Sequence, residues 1–153
     1  MKVAELMNTK LYTVAPDDSV EGAVRMLQER GVRHLLVLAK NELVGILSDR
    51  DLKRAMDPTK RKRKKMLNLG GLFFLLEPIL VREIMTKNPT TVGPDTTAQE
   101  AAIIMVNNRI GALPVVRNGK LIGIVTESDL LRCFASLGSP APAKGKSRQG
   151  DKK

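Results

Sequence analysis

A hydroxyl and a carboxylate recur together at two places in the chain, each directly after a short apolar run. Ser48 precedes Asp51 by three residues, and Thr126 precedes Asp129 by the same interval. A hydroxyl at the start of a helix lies among unpaired backbone N–H groups at the positive end of the helix dipole, an arrangement that binds phosphate. A carboxylate three residues later can accept hydrogen bonds from the two hydroxyls of a ribose. The pattern therefore predicts a site for a phosphate and a sugar diol in each copy.

The same spacing is also that of a helix capping box, in which the hydroxyl and the carboxylate satisfy the first backbone N–H groups of the helix. Either copy alone would more often be a cap than a binding site. The surroundings recur as well, however, as GIL before Ser48 and GIV before Thr126. In both copies the glycine, Gly45 or Gly123, is predicted to let another backbone approach closely. A recurring context of this kind favours a functional element.

The motif recurs because a long segment of the chain recurs. Residues 81–132 align with residues 3–54 without a gap, at an offset of 78 positions, and sixteen of the fifty-two aligned positions are identical. A match at a fixed period indicates that one supersecondary unit occurs twice. A unit of about fifty residues is too short to bury much core alone, so we expect the two copies to share a core. Two copies related by a pseudo-two-fold axis would also form equivalent clefts between them.

Each copy predicts the order strand, helix, strand, strand, helix. Val20, Ala23, Val24 and Leu27 follow the apolar spacing of an amphipathic helix. Apolar runs at residues 34–38 and 43–47 predict two strands, and their counterparts in the second copy are joined by an Asn-Gly pair at 118–119, which is typical of a hairpin turn. The predicted fold is mixed α/β (α+β), with two β-α-β-β-α repeats packed about a pseudo-two-fold axis.

The ends of the first long helix in each copy can be predicted from capping patterns. Asp18 with a Glu three residues later, and Thr96 with a Gln three residues later, have capping-box spacing. Gly31 is expected to end the helix of the first copy in the left-handed conformation, and Asn108 that of the second.

Taken together, these motifs resemble the CBS domain, the module named after cystathionine beta-synthase, present as a tandem pair or Bateman module. The resemblance covers about residues 1–136 and is greatest to small stand-alone pairs, including those grouped with acetoin-utilisation proteins. It rests on GILSDRDL with GIVTESDL, on VAPDDSVEGAV with VGPDTTAQEAA, and on GVRHLLV with RIGALPVV. It implies a regulatory module whose clefts bind AMP, ADP or ATP, with or without Mg²⁺. NAD and S-adenosylmethionine rank below these nucleotides.

The resemblance also implies roles for individual residues. Asp51 and Asp129 match ribose-binding acids, and Ser48 and Thr126 match hydroxyls that contact phosphate. Arg33 matches a position where a basic residue meets phosphate in some family members.

In such modules one repeat supplies the hydroxyl and the acid, and the other lends strand edges to the adenine. The expected pairings combine Ser48 and Asp51 with Ile110, Gly111 and Ala112, and combine Thr126 and Asp129 with Val32, Arg33 and His34. Because Gly111 stands where the first copy has Arg33, the two sites are expected to differ.

The sequence predicts neither a catalytic residue nor a metal ligand. His34 is the single histidine and has no Cys or His companion at a useful spacing, so we interpret it as lining a cleft. The two acids have no evident acid–base partner, which argues against an enzyme. Cys133 lies in an apolar stretch and, as the single cysteine, fits a reducing compartment. With an N-terminus that lacks an apolar signal core, and no apolar run long enough to span a bilayer, the sequence favours a cytoplasmic protein without a membrane role.

Outside the repeats, the chain is basic. We divide it into repeat one at 1–56, a linker at 57–80, repeat two at 81–138 and a tail of disordered composition at 139–153. Of the net charge of +10, residues 57–65 carry +5 and residues 136–153 carry +4, so the repeats are nearly neutral. Residues 60–65 are an unbroken basic run, which is most often solvated.

Nucleic-acid binding through the linker and the tail is the alternative function. It lacks the aromatic side chains and the fold signatures that specific nucleic-acid binding would need. Residues 72–76 are apolar enough to need a partner surface, either on the module or on a second subunit. We therefore expect a homodimer that reports ligand binding to a further, unidentified protein and that has no specific nucleic-acid partner.

Overall fold

The computed structural model describes residues 1–57, 66–69, 72–75 and 78–138. The first repeat contains α1 (Val3–Leu6), β1 (Thr13–Val14), α2 (Val20–Arg30), β2 (His34–Ala39), β3 (Glu42–Ser48) and α3 (Asp49–Met56). Two antiparallel strands follow, β4 (Met66–Leu69) and β5 (Leu72–Leu75). The second repeat contains α4 (Val81–Ile84), β6 (Thr86–Lys87), α5 (Ala98–Asn108), β7 (Ala112–Arg117), β8 (Lys120–Thr126) and α6 (Glu127–Ser136). The basic run at 60–65 and the tail from 139 lie outside the described residues.

The two repeats have matching strand pairs, which confirms the mixed α/β fold predicted from the sequence. β2 pairs antiparallel with β3 and has a register shift after Val37, and β7 pairs with β8 and shifts after Val115. The hairpin turn of the second repeat has positive φ angles at Asn118 and Gly119, of 50° and 76°. These are the angles that an Asn-Gly hairpin turn requires. β1 lies parallel to β2, and β6 adds to the free edge of β3.

The long helices begin one residue later than the capping patterns predict. Ser19 and Thr97 are the N-caps of α2 and α5, and each side-chain oxygen accepts a hydrogen bond of 3.1 Å from the backbone N–H three residues on. The predictions of Asp18 and Thr96 are therefore wrong. Those two side chains instead accept hydrogen bonds from the backbone N–H three residues earlier, at 2.8 and 3.2 Å. They close the turn that leads into the helix.

The C-terminal ends of these helices differ between the copies. Gly31 ends α2 with a φ of 62°, as predicted. In the second copy the left-handed residue is Arg109, with a φ of 54°, so the prediction of Asn108 is wrong. Asn108 stays in the helix, where its side-chain amide donates to the carbonyl of Ile104 at 2.8 Å.

The buried apolar residues form two clusters, and each cluster contains residues from both repeats. Val81 of α4 is fully buried among first-repeat residues such as Leu35. Val3 of α1 is fully buried among second-repeat residues such as Leu113. The expectation of a shared core is therefore correct in that neither repeat completes its core alone. Each repeat completes its core with the short helix of the other repeat: α4 packs on the first repeat and α1 packs on the second.

This exchange explains the glycine of the recurring motif. A Cβ at Gly45 would lie 2.5 Å from Sδ of Met85, and one at Gly123 would lie 2.6 Å from Sδ of Met7. The glycine therefore admits a methionine that follows the short helix of the other repeat. Beyond the methionine, Asn8 exchanges backbone hydrogen bonds of 2.8 and 3.0 Å with Ile124. The segments after α1 and α4 are thereby held beside the other repeat's last strand.

Candidate functional site

Two clefts lie between the repeats, each at the junction of a last strand with a last helix. Cleft A, of about 420 Å³, is lined by the start of α3 together with second-repeat residues between 86 and 90 and between 109 and 112. Cleft B, of about 380 Å³, is lined by the start of α6 together with first-repeat residues between 8 and 12 and between 31 and 34. Each cleft therefore takes its walls from both repeats.

The structure brings together the residue groups that the sequence paired. Cleft A contains Ser48, Asp51, Ile110, Gly111 and Ala112. Cleft B contains Thr126, Asp129, Val32, Arg33 and His34. All ten predicted residues line a cleft, and their roles towards a ligand stay predictions.

The linings also match position by position at the offset of 78. The cleft A residues Thr86, Asn88, Pro89 and Thr90 correspond to the cleft B residues Asn8, Lys10, Leu11 and Tyr12. Sequence reasoning did not place these residues in the clefts. The sequence does show that these residues follow the repeated short helix directly. That position predicts a place in the clefts only once it is known that the short helix packs on the other repeat.

In cleft A the hydroxyl and the carboxylate form a capping box. The Asp51 N–H donates to Ser48 Oγ at 3.1 Å, and the Ser48 N–H donates to Asp51 Oδ2 at 3.0 Å. Ser48 and Asp51 therefore do cap the start of α3, as the alternative interpretation of the motif predicted. Within the described part of the chain, the other carboxylate oxygen, Asp51 Oδ1, takes part in no hydrogen bond. It remains available to hydroxyl groups of a ligand.

Cleft B has the same capping box with more internal bonds. Asp129 Oδ2 accepts from the Thr126 N–H at 2.8 Å and from the Thr126 hydroxyl at 2.9 Å. Asp129 Oδ1 accepts from Arg132 at 3.2 Å. Both oxygens of this carboxylate are engaged, although the Arg132 side chain is 78% exposed and can move away.

The clefts meet at a central group of residues that line both, namely Arg33, His34, Gly111 and Glu127. Burial lowers the pKa of His34, and the carboxylate of Asp49, followed by that of Glu127, partly opposes this shift. The imidazole is therefore held neutral more strongly than an exposed histidine. A change of charge at this centre can be felt in both clefts.

Within the described ranges, no set of three or more His, Cys, Asp and Glu side chains is grouped so that it could hold a metal ion. Among the helices described, none has the length and apolar character needed to cross a membrane.

The family model described as CBS domain matches residues 3–58 and again residues 81–136. The chain belongs to the CBS-domain family. The resemblance drawn from the sequence is thus confirmed. The resemblance to the acetoin-utilisation group is confirmed as well. A structure described as an acetoin utilization protein (AcuB) from Vibrio cholerae matches with a TM-score of 0.71 and 29% identity, covering 90% of this chain and 93% of that chain.

Two sequence relatives differ in how much of their length the chain covers. The inosine-5'-monophosphate dehydrogenase of Korarchaeum cryptofilum is 42% identical over 121 residues, which are 78% of this chain but 21% of the enzyme. The chain thus spans about a fifth of this enzyme. A CBS domain-containing protein of Dictyostelium discoideum is 33% identical over 147 residues, which are 92% of this chain and 95% of that protein.

Two related CBS structures contain adenosine compounds. The CBS domain pair of protein MJ0100, in complex with 5'-methylthioadenosine and S-adenosyl-L-methionine, has a TM-score of 0.73 and 26% identity, covering 88% of this chain and 96% of that chain. CBSX2 in complex with AMP has a TM-score of 0.66 and 29% identity, with the same coverage.

Proposed function

We propose that the protein is a regulatory module that binds adenosine-containing ligands in clefts A and B. The observation that carries this proposal is the position-by-position match of the two linings, each with a capping box at its helix start. A structural cap needs no cleft and no partner segment from the other repeat. The AMP, S-adenosylmethionine and methylthioadenosine complexes of the related pairs support an adenosine ligand.

The proposed roles follow the geometry. Asp51 and Asp129 accept the ribose hydroxyls, and Ser48 and Thr126 help to hold phosphate at the starts of α3 and α6. The strand edges at 110–112 and 32–34 face the adenine. The ligands proposed first are AMP, ADP and ATP, with any Mg²⁺ arriving on the phosphates.

Calorimetric titration of the full chain tests this proposal. The ligand panel is adenosine, AMP, ADP, ATP, S-adenosylmethionine and methylthioadenosine, with GMP as the base control. We expect saturable binding of at least one adenosine compound and no binding of GMP. Equal binding of GMP and AMP, or no binding of any adenosine compound at millimolar concentration, would refute the proposal.

We propose a regulatory role rather than a catalytic one. The dehydrogenase relative extends far beyond the matched segment, whereas the Dictyostelium relative has nearly the length of this chain. Incubation of the protein with each bound ligand, followed by chromatography, should return the ligand unchanged. Conversion of a ligand at a rate proportional to protein concentration would contradict this role.

We further propose that two copies pair through the outer faces of α5 and α6. Four apolar side chains there are more than half exposed: Ile103, Val106, Leu131 and Phe134. An apolar surface of this kind marks an interaction site. The matching positions for the first three in repeat one are Arg25, Gln28 and Lys53, which do not offer an apolar partner. An isologous dimer, in which the same face meets itself, gives each apolar side chain an apolar partner.

Analytical ultracentrifugation at micromolar concentration tests this dimer. The wild-type chain should sediment as a dimer, and Phe134→Asp, at a side chain that is 75% exposed, should give a folded monomer. Arg25→Asp, the control on repeat one, should remain dimeric. A wild-type monomer, or a Phe134→Asp dimer, would contradict the proposed surface.

A further inference from the structure

Clefts A and B share a frame but differ at several matched positions, and two of these differences concern an arginine that lines cleft A alone. Arg50 of cleft A corresponds to Ser128 of cleft B, and Arg109 of cleft A corresponds to Gly31 of cleft B. Both differences place a guanidinium group in cleft A. Guanidinium groups bind phosphate through paired, parallel N–H donors, so their number affects which ligands a cleft retains.

The arginines of cleft A are free to bind. Arg33, Arg50, Arg54 and Arg109 line this cleft and are exposed, and none of them forms an ion pair with another described residue.

Two of the three cations of cleft B already make a contact within the protein. Arg132 bonds to Asp129 at 3.2 Å, and Lys10 Nζ lies 5.9 Å from the centre of the Tyr12 ring. Arg33 is shared with cleft A. Since the two linings carry equal formal charge, the clefts differ in how many guanidinium donors are unpaired and not in net charge.

Arg109 is the left-handed C-cap of α5, at a position where glycine is the usual residue. Its φ of 54° lies in the left-handed region, which glycine adopts readily and other residues adopt at a penalty. The matching residue in cleft B is Gly31, with a φ of 62°. The two copies therefore end this helix with the same backbone conformation, but only the second copy has a side chain at the cap. That side chain, the one of Arg109, lines cleft A.

The aspartates of the two clefts also differ in how many hydrogen bonds they already accept within the protein. Asp51 has an oxygen that is free to accept ribose hydroxyls, whereas both oxygens of Asp129 are used within cleft B. A ligand in cleft B must therefore share Asp129 Oδ1 with Arg132 or displace it, since each carboxylate oxygen can accept two hydrogen bonds.

We propose that cleft A is the site for adenosine ligands with two or three phosphates and that Arg50 and Arg109 determine this specificity. Cleft B takes adenosine ligands with one phosphate or none. This assignment rests on the proposed function, because it presumes that the clefts bind adenosine compounds.

The repeats supply the variants for the test. Arg50→Ser with Arg109→Gly gives cleft A the cleft B residues at these two positions, and Arg25→Ser removes an exposed arginine that lines neither cleft. Affinities for ATP, ADP and adenosine are measured by calorimetry, with and without Mg²⁺. For the double variant we expect ATP affinity to fall by about tenfold for each guanidinium removed. Adenosine affinity should change less than about twofold, and Arg25→Ser should behave as wild type.

The reverse change is Ser128→Arg, which should tighten ATP binding at the second site while leaving the first unchanged. Equal losses of ATP and adenosine affinity in the double variant would overturn the assignment, as would an unchanged ATP affinity. If wild type binds adenosine but not ATP, the assignment fails and the proposed function stands. If it binds no adenosine compound, both fail.

Discussion

Replacing Asp51 by Asn separates its cap role from its proposed ribose role. The amide oxygen of Asn can still accept the hydrogen bond that Asp51 Oδ2 receives from the Ser48 N–H at 3.0 Å. The substitution removes the negative charge and one of the two carboxylate oxygens. The capping box should therefore survive, while the acceptor available to a ligand, Oδ1, becomes an amide NH₂ that cannot accept.

The expected sizes of the two effects differ. The fold loses the attraction between a carboxylate and the start of α3, which is about 0.3–1 kcal/mol and corresponds to a drop in Tm of at most about 4 °C. The ligand loses hydrogen bonds to a charged acceptor, which contribute about 1.5–3 kcal/mol. At about 1.4 kcal/mol for each factor of ten, affinity at cleft A should fall by about 10- to 150-fold.

Asp51→Ala is the comparison variant, because it removes the cap bond as well. It leaves the Ser48 N–H without its partner, so unfolding should become easier by about 1–3 kcal/mol, seen as a lower urea midpoint. Asp129→Asn should weaken cleft B less than Asp51→Asn weakens cleft A, since Thr126 and Arg132 already occupy the oxygens of Asp129.

Calorimetry with a ribose nucleotide and with its 2',3'-dideoxy analogue measures the binding effect, and thermal denaturation measures the stability effect. The reasoning would be refuted if Asp51→Asn bound the ribose nucleotide as tightly as wild type. It would also fail if the dideoxy analogue bound as well as its parent. If Asp51→Asn were as unstable as Asp51→Ala, the capping box would depend on the charge, contrary to the geometry.

Three further outcomes follow from the structure. Because burial lowers the pKa of His34 in the folded protein, the unfolded chain binds this proton first as the pH falls below about 6.5, so stability should drop between pH 7.5 and 5.5. Denaturant unfolding at both pH values should show a smaller drop for His34→Ala, and an equal drop would contradict the shift. Gly45→Ala should destabilise the fold by about 1–3 kcal/mol by overpacking against Met85, and a neutral effect would argue against the exchanged helices. Arg109→Gly alone should leave Tm equal or higher, since it replaces a left-handed arginine by the residue that Gly31 provides in the first copy; a lower Tm would show that the arginine stabilises the fold itself.

Much of the repeat was predictable because its signals are local. The hairpins follow from apolar runs joined by turn residues, and the pairing of Asp51 with 110–112 follows from the family resemblance. The helix starts were missed by one residue because Asp18 and Ser19 are adjacent short polar side chains, either of which can cap. Which of them caps depends on the other closing the preceding turn, as Asp18 does through its bond to the Ala15 N–H. Local pattern cannot rank these two arrangements.

The exchange of the short helices could not be predicted for a different reason. Val3 and Val81 are identical residues in equivalent segments, so the apolar pattern fits packing on the same repeat as well as packing on the other one. The choice is made by long-range bonds, such as that of the Val3 N–H to the carbonyl of Thr96 at 2.8 Å. The cleft residues that follow each short helix were missed because they depend on this choice.

Comparison of the two copies distinguishes the positions that maintain the fold from the positions that give each cleft its own lining. Positions that form the frame remain alike in both copies: Leu35 and Leu113 in the core, and Asp51 and Asp129 in the capping boxes. Several other positions of the cleft linings differ, as Arg50 and Ser128 do.

A frame completed by exchanged helices fixes the geometry of both clefts at once, because neither repeat can close its core without the other. The ligand-facing side chains are then free to diverge without loss of the fold. Since the central residues, His34 among them, line both clefts, a charge that enters one cleft changes the potential in the other. With the phosphate preferences proposed above, two clefts that meet at such a centre would respond to the ratio of two adenosine ligands rather than to the amount of one.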